Sequence, residues 1–221
     1  MDIDEFLRTS IQKNEKEAKR LMAEKKQQRV AEIMSNSGIK KRFKKCNFDT
    51  FQVTETNRIA YQAVLDFAKD FEQQNKGILL VGNVGTGKTH LAASIANYLI
   101  QQLYTVVFGN ITDIIARIYD TYDKDSEIST SEVIQYLTGV DLLIIDDLGK
   151  EYDSKNTNTL LYQIINTLYE DEKLVVITTN LSGRELSEKI GPATVSRITE
   201  MTRPVIMTGQ DWRIKGVKTC K

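Results

Sequence analysis

The chain has 221 residues, thirty basic and thirty acidic side chains, 41% hydrophobic residues and two cysteines. That composition suits one core of ordinary size plus an extension. No run has the apolar length of a membrane span, and Asp2, Asp4 and Glu5 replace the basic and apolar regions of a secretory signal, so a cytoplasmic protein without a membrane partner is expected. Cys46 and Cys220, with no histidine nearby, give neither zinc-ligand spacing nor a disulfide framework.

The balanced charge hides an asymmetry. Residues 1–46 hold thirteen Lys/Arg against seven Asp/Glu, which leaves the rest of the chain net acidic. From about Ile3 to Met34 there is no Gly or Pro, and Lys, Glu, Gln, Ala and Arg dominate, so the spacing predicts a largely helical extension. Its apolar stripe (Ile3, Phe6, Leu7, Ile11, Leu21, Met22, Val30, Ile33) thins out between positions 12 and 29 and is too sparse to stabilise a helix alone. Docking on a partner is the first reading, with a self-associating coiled coil and a mobile charged tail as alternatives. Ser35-Asn36-Ser37-Gly38 reads as a linker. Lys40, Lys41, Arg42, Lys44 and Lys45 around Phe43 could touch a phosphate backbone or an acidic protein face, or could simply be solvated.

Residues 57–72 have helical periodicity, and Ile78 to Val81 is an apolar strand. It runs into Gly82-Asn83-Val84-Gly85-Thr86-Gly87-Lys88-Thr89, a phosphate-binding loop, followed by a helix from His90 to Gln102. Glycines at 82, 85 and 87 let the backbone N–H groups curl inward, and the helix N-terminus adds its dipole, so the loop, with His90 beside it, should hold ATP. Lys88 would reach the β and γ phosphates and the Thr89 hydroxyl would hold Mg2+. A glycine-rich turn without nucleotide is the alternative.

Thr105 to Phe108 predicts a second strand, and helices are expected over 111–122 and 131–137. Leu142 to Ile145 then forms a fully apolar strand ending in Asp146-Asp147, expected beside the loop strand. Asp146 is assigned to the Mg2+ shell through water, and Asp147 to orienting the attacking water or to capping a loop. A helix over 156–169 and a strand over 174–179 follow. Asn180 would hold the lytic water or sense the γ-phosphate, or begin a turn. Arg197, on a short helix after Gly191-Pro192, fits an arginine finger reaching a neighbouring subunit, or pairs with Glu200. Strands alternating with helices predict an α/β fold, a parallel sheet with helices on both faces.

Together, Gly82 to Thr89 with His90-Leu91-Ala92, Ile144-Ile145-Asp146-Asp147-Leu148-Gly149, Thr178-Thr179-Asn180 and Ser196-Arg197-Ile198 resemble the AAA+ helicase loaders of the DnaC/DnaI type. Lys41-Arg42-Phe43 and Phe48-Asp49-Thr50-Phe51 resemble that family's approach to its ATPase domain. The resemblance implies a P-loop AAA+ ATPase core without a C-terminal lid, over residues 47–221, preceded by a helicase-interaction region and linker over 1–46. It implies slow ATP hydrolysis stimulated by assembly or DNA. The implied partners are a DnaB-type hexameric helicase, single-stranded DNA and further copies assembled on the helicase ring. The family's DNA-contacting helix would be residues 111–122, making Arg117, Tyr119, Tyr122 and Lys124 candidate contacts. Trp212 is assigned to packing, and Arg213 to a surface strand or an approach to nucleotide. The alternatives are an IstB-type transposition helper ATPase and a nucleotide-sensing adaptor with little turnover, the latter suggested by Asp147 where glutamate is usual.

Overall fold

The computed structural model describes residues 3–119, 129–149 and 155–212. Tyr122, Lys124, Arg213 and Cys220 lie outside them.

In chain order the elements are α1 (Ile3–Asn36), α2 (Arg58–Lys69), a 3-10 turn (Phe71–Gln73), β1 (Gly77–Gly82), α3 (Lys88–Gln101), β2 (Val106–Asn110) and α4 (Ile111–Tyr119). They continue with α5 (Thr130–Thr138), β3 (Leu142–Leu148), α6 (Lys155–Glu170), β4 (Leu174–Thr179), α7 (Gly183–Ile190), α8 (Pro192–Met201) and β5 (Thr202–Met207). The five strands form one parallel sheet ordered β2-β3-β4-β1-β5.

The apolar runs are continuous because the central strands are covered on both faces. Leu142 and Ile144 face a core made with α1, α2 and α3, whereas Leu143 and Ile145 face a second core made with α4, α5, α6, α7 and α8. This alternation is the two-residue period of a strand dividing its side chains between two helical layers. The expected α/β sandwich is therefore the observed one.

Two placements differ from expectation. The acidic strand does not lie beside the loop strand: β4 sits between them, pairing with β1 through Ile78–Val81 and with β3 through Leu142–Leu148. Strand β5, absent from the sequence reading, pairs with β1 along Gly77–Gly82. It holds Pro204 and exposed Arg203 and Ile206, so neither its composition nor its alternation signals a strand. Pro is tolerated there because β5 is at the sheet edge.

The segment after α1 is also more integrated than a linker. Helix α1 stops at Asn36, and Gly38 adopts a left-handed φ of 76°. Ser37 is fully buried, and its carbonyl accepts the Phe108 N–H at 2.7 Å, extending the sheet edge beside β2. Ile33, Ile39, Cys46, Phe48 and Phe51 all enter the first core. Cys46 is buried there, 1% exposed.

Candidate functional site

The sheet order brings the ends of β1, β4 and β3 to one edge, and there the signature residues meet. Gly85 and Gly87 have φ of 77° and 97°, a left-handed backbone that glycine adopts without steric cost. The curled loop enters α3 directly, with Gly87 as its N-cap. Lys88 is 5% exposed, and its ammonium donates to the Gly82 and Asn83 carbonyls, both at 2.7 Å. Thr86 Oγ1 donates to the Asn83 carbonyl at 2.9 Å, fastening the loop to itself.

At the end of β3, Asp146 is 7% exposed. Its Oδ1 accepts from Thr89 Oγ1 at 2.9 Å and from Thr178 Oγ1 at 2.7 Å. The same Thr178 hydroxyl accepts the Asp147 backbone N–H at 2.8 Å. One side chain from β4 thus fixes both acids of β3. Asp147 has a φ of 59°, a conformation that aspartate tolerates better than most residues. Asn180 is half-buried and follows directly on β4; since Thr179 pairs with Val81, the next positions are Asn180 and the loop's Gly82.

Sequence reasoning gave His90 to the nucleotide, yet its ring is held by the segment before α2. His90 Nε2 lies 3.1 Å from the Asn47 carbonyl and 3.2 Å from Thr50 Oγ1, and the ring meets Phe51 edge-on at 5.3 Å. Two turns further, Asn97 donates to the Phe43 and Cys46 carbonyls at 2.9 and 2.6 Å. Phe51 also closes on the loop: a Cβ placed on Gly87 would come within 2.7 Å of its ring. On the other flank, the Trp212 N–H donates to the Gly85 carbonyl at 3.2 Å, and a Cβ on Gly85 would collide with the Asp211 carboxylate.

These residues fit a nucleoside triphosphate. The loop offers inward backbone N–H groups at a helix N-terminus, with a lysine at its centre. Among the described residues no group of three His, Cys, Asp or Glu could hold a metal by itself. Thr89 and Asp146, joined by their 2.9 Å hydrogen bond, are the residues that would hold a magnesium ion taking its other ligands from phosphates and water.

The sequence pattern described as "IstB-like ATP binding protein" matches residues 5–218. The chain belongs to that family. Among similar proteins, the uncharacterized protein YdaV of Escherichia coli (strain K12) is 28% identical over 213 residues, covering 96% of this chain and 85% of its relative. The replicative helicase loader DnaC of the same organism is 26% identical over 179 residues, covering 80% of this chain and 73% of the loader. The crystal structure of the DnaC helicase loader superposes with a TM-score of 0.69 at 27% identity, covering 76% of this chain and 100% of that one. The core is accordingly the P-loop AAA+ fold.

The remaining candidates are spread over this IstB-like framework. Arg197, on α8, packs against α6, with its guanidinium 4.9 Å from the Tyr162 ring and 5.6 Å from the Tyr169 ring. Its Nε is buried without a hydrogen-bond partner among the described residues. Glu200, the partner considered from sequence, instead accepts from the Tyr169 hydroxyl at 3.0 Å, a bond that raises the Tyr169 pKa above its ordinary value. On α4, Ile111, Ile114, Ile115 and Ile118 face the second core. Arg117 lies on this helix, and Tyr119 is exposed at its end. Lys40 of the basic cluster is tied to Asp113 of α4 by a 2.6 Å ion pair, so the collar after α1 and the start of α4 are joined. No helix among the described residues is long and apolar enough to cross a membrane.

Thr178, Phe51 and Trp212 were not assigned to the site from sequence. Thr178 had a usable signal, one of two threonines ending an apolar strand, two residues before the assigned Asn180. Phe51 and Trp212 had none, because they reach the loop only through tertiary folding.

Proposed function

We propose that this protein is an ATP-dependent loader of the replicative DNA helicase, a cytoplasmic ATPase that binds a DnaB-type hexamer and single-stranded DNA and assembles in several copies on the ring. The observation that carries the reading is the convergence of Thr89, Asp146 and Thr178 within 2.9 Å at the loop edge of a sheet shared with the DnaC loader. Residues 1–46 are assigned to helicase interaction and linkage, and residues 47–221 to the ATPase domain, with residues 33–46 packed onto that domain.

In this reading Lys88 leaves the loop carbonyls to meet the phosphates, while Thr89, and Asp146 through water, would hold Mg2+. Magnesium, when bound, neutralises charge on the phosphate oxygens. Asp147 orients the attacking water from its fixed backbone position, and Asn180 senses the γ-phosphate end. Arg197, on α8, serves a neighbouring copy, so an isolated subunit turns over slowly and assembly or DNA stimulates it. Arg117 and Tyr119 of α4, together with Tyr122 and Lys124 outside the described residues, are assigned to DNA. Leu21 and Met22, 52% and 71% exposed on α1, suit a helix whose apolar positions await a partner.

The test is light scattering after size-exclusion chromatography of the protein mixed with its host's hexameric helicase, with and without ATP. A discrete complex that disappears on deletion of residues 1–28 is expected. Absence of a complex at micromolar concentrations in both nucleotide states would overturn the loader reading in favour of a transposition helper or a nucleotide-sensing adaptor.

A further inference from the structure

The phosphate loop is enclosed by two segments from opposite ends of the chain. On one side lies the approach to α2, where Phe51 presses on Gly87. On the other, the chain leaving β5 turns back over the loop: the Trp212 N–H donates to the Gly85 carbonyl, and the Asp211 carboxylate packs against Gly85. The two are fastened together, since Thr208 Oγ1 donates to the Thr56 carbonyl at 2.9 Å.

The sheet order sets the direction of a bound nucleotide. The acids that suit the γ-phosphate end stand on β3, two strands from β1 on one side. A triphosphate lying along the loop with its terminal phosphate toward β3 carries its nucleoside toward β5. Strand β5 delivers the segment 208–212 to that side, next to residues 51–57. Two aromatic residues flank the loop there, Phe51 and Trp212. Phe51 already stacks on Tyr61 at 5.6 Å and meets the His90 edge at 5.3 Å, so its faces are engaged within the core. Trp212 is half-buried, with its backbone anchored to the loop.

We infer that Trp212 is the base-contacting residue of the nucleotide site, its indole stacking on the nucleobase, while Asp211 and the Trp212 N–H hold it against the loop. An indole is the largest π surface a side chain offers, and such stacking is sequence-tolerant. The inference rests on the ATP-binding reading of the loop and deepens it.

The chain contains one tryptophan, so its fluorescence reports this residue alone. In the full-length protein, Mg-ATP should change Trp212 emission saturably. Inorganic tripolyphosphate, which has no base, should compete for the loop while changing emission little. Measured by anisotropy of a fluorescent ATP analogue, Trp212→Ala should weaken binding roughly 5- to 100-fold, the range expected for lost base–aromatic stacking, and Trp212→Phe should recover most of it. Unchanged emission while the analogue binds normally would overturn the stacking and leave the loop reading intact. Equal responses to ATP and tripolyphosphate would also overturn it, since the indole would then sense the loop and not the base. If neither wild type nor Lys88→Ala binds the analogue, the loop reading itself fails and takes this inference with it. Should Trp212→Ala fold poorly, the emission titration of the unaltered chain still decides.

Discussion

The Thr178 hydroxyl accepts from one group and donates to another at the same time: it accepts the Asp147 N–H and donates to Asp146 Oδ1. Thr178→Val keeps the shape but strips both bonds from a fully buried position, leaving Asp146 and the Asp147 amide short of a partner at a cost of about 1–3 kcal/mol. The expected outcome is at least tenfold slower ATP turnover with nucleotide affinity changed only a few-fold, checked by steady-state hydrolysis beside an anisotropy titration; unchanged turnover would remove the paired acids from catalysis. Lys88→Ala should act differently, abolishing tight nucleotide binding, because the lysine is the charged group at the centre of the loop. The loop, Asp146, Asp147 and Asn180 could be read from sequence because each is set by its own strand end. His90 could not, since its position beside Lys88 and Thr89 says nothing of the Asn47 and Thr50 groups that claim its ring.

Two helices begin with the same device. Ser129 caps α5 and Ser182 caps α7, each accepting the backbone N–H three residues on, while Glu132 and Glu185 return a bond to the cap. Ser129→Ala or Ser182→Ala should each lower stability by about 1 kcal/mol, read from thermal melting. The backbone bonds from Ser129 and Ser182 hold the pKa values of Glu132 and Glu185 below the ordinary 4.5. A folded-state pKa below the unfolded one means that this stabilisation is complete above about pH 4.5 and is lost as pH falls through the folded value. The melting difference between wild type and Glu132→Gln or Glu185→Gln variants should therefore shrink on going from pH 7 to below pH 4. Helix α1 makes a different point. Residues 20–29 are exposed, while Ile33 is buried and Val30 and Met34 pack on the core. Deleting residues 1–28 should leave the melting temperature near that of the full chain. Deleting 1–34 removes the packing of Ile33 and its neighbours, and losses of about 2–5 kcal/mol are typical for a buried aliphatic side chain. The sparse stripe showed that α1 needs something to dock on. It did not show that the last two turns dock on this chain's own α3 side.

Across the whole molecule, the loop stands at one sheet edge and Arg197 on the α6–α8 face, clasped by Tyr162 and Tyr169. In an assembly on a helicase ring, Lys88→Ala subunits keep an intact Arg197, and Arg197→Ala subunits keep an intact loop. Under the proposed arrangement, in which a site in one copy takes its arginine from the next, each should be inactive alone and mixing them should restore part of the hydrolysis. Recovery no greater than the sum of the separate preparations would leave Arg197 with a packing role between its tyrosines. The sequence by itself determined the α/β class, the phosphate loop, the acids after β3 and the places of most helices and strands, since these depend on local spacing and on continuous apolar runs. Only the tertiary structure decided that β4 lies between β1 and β3, that an irregular run with Pro204 closes the sheet as β5, and that Phe51 and residues 211–212 close on the loop from segments far apart in the chain. The physical reason is the same in each case: strand order and wall contacts are set by which surfaces bury one another across long sequence separations, and no local pattern of residues carries that information.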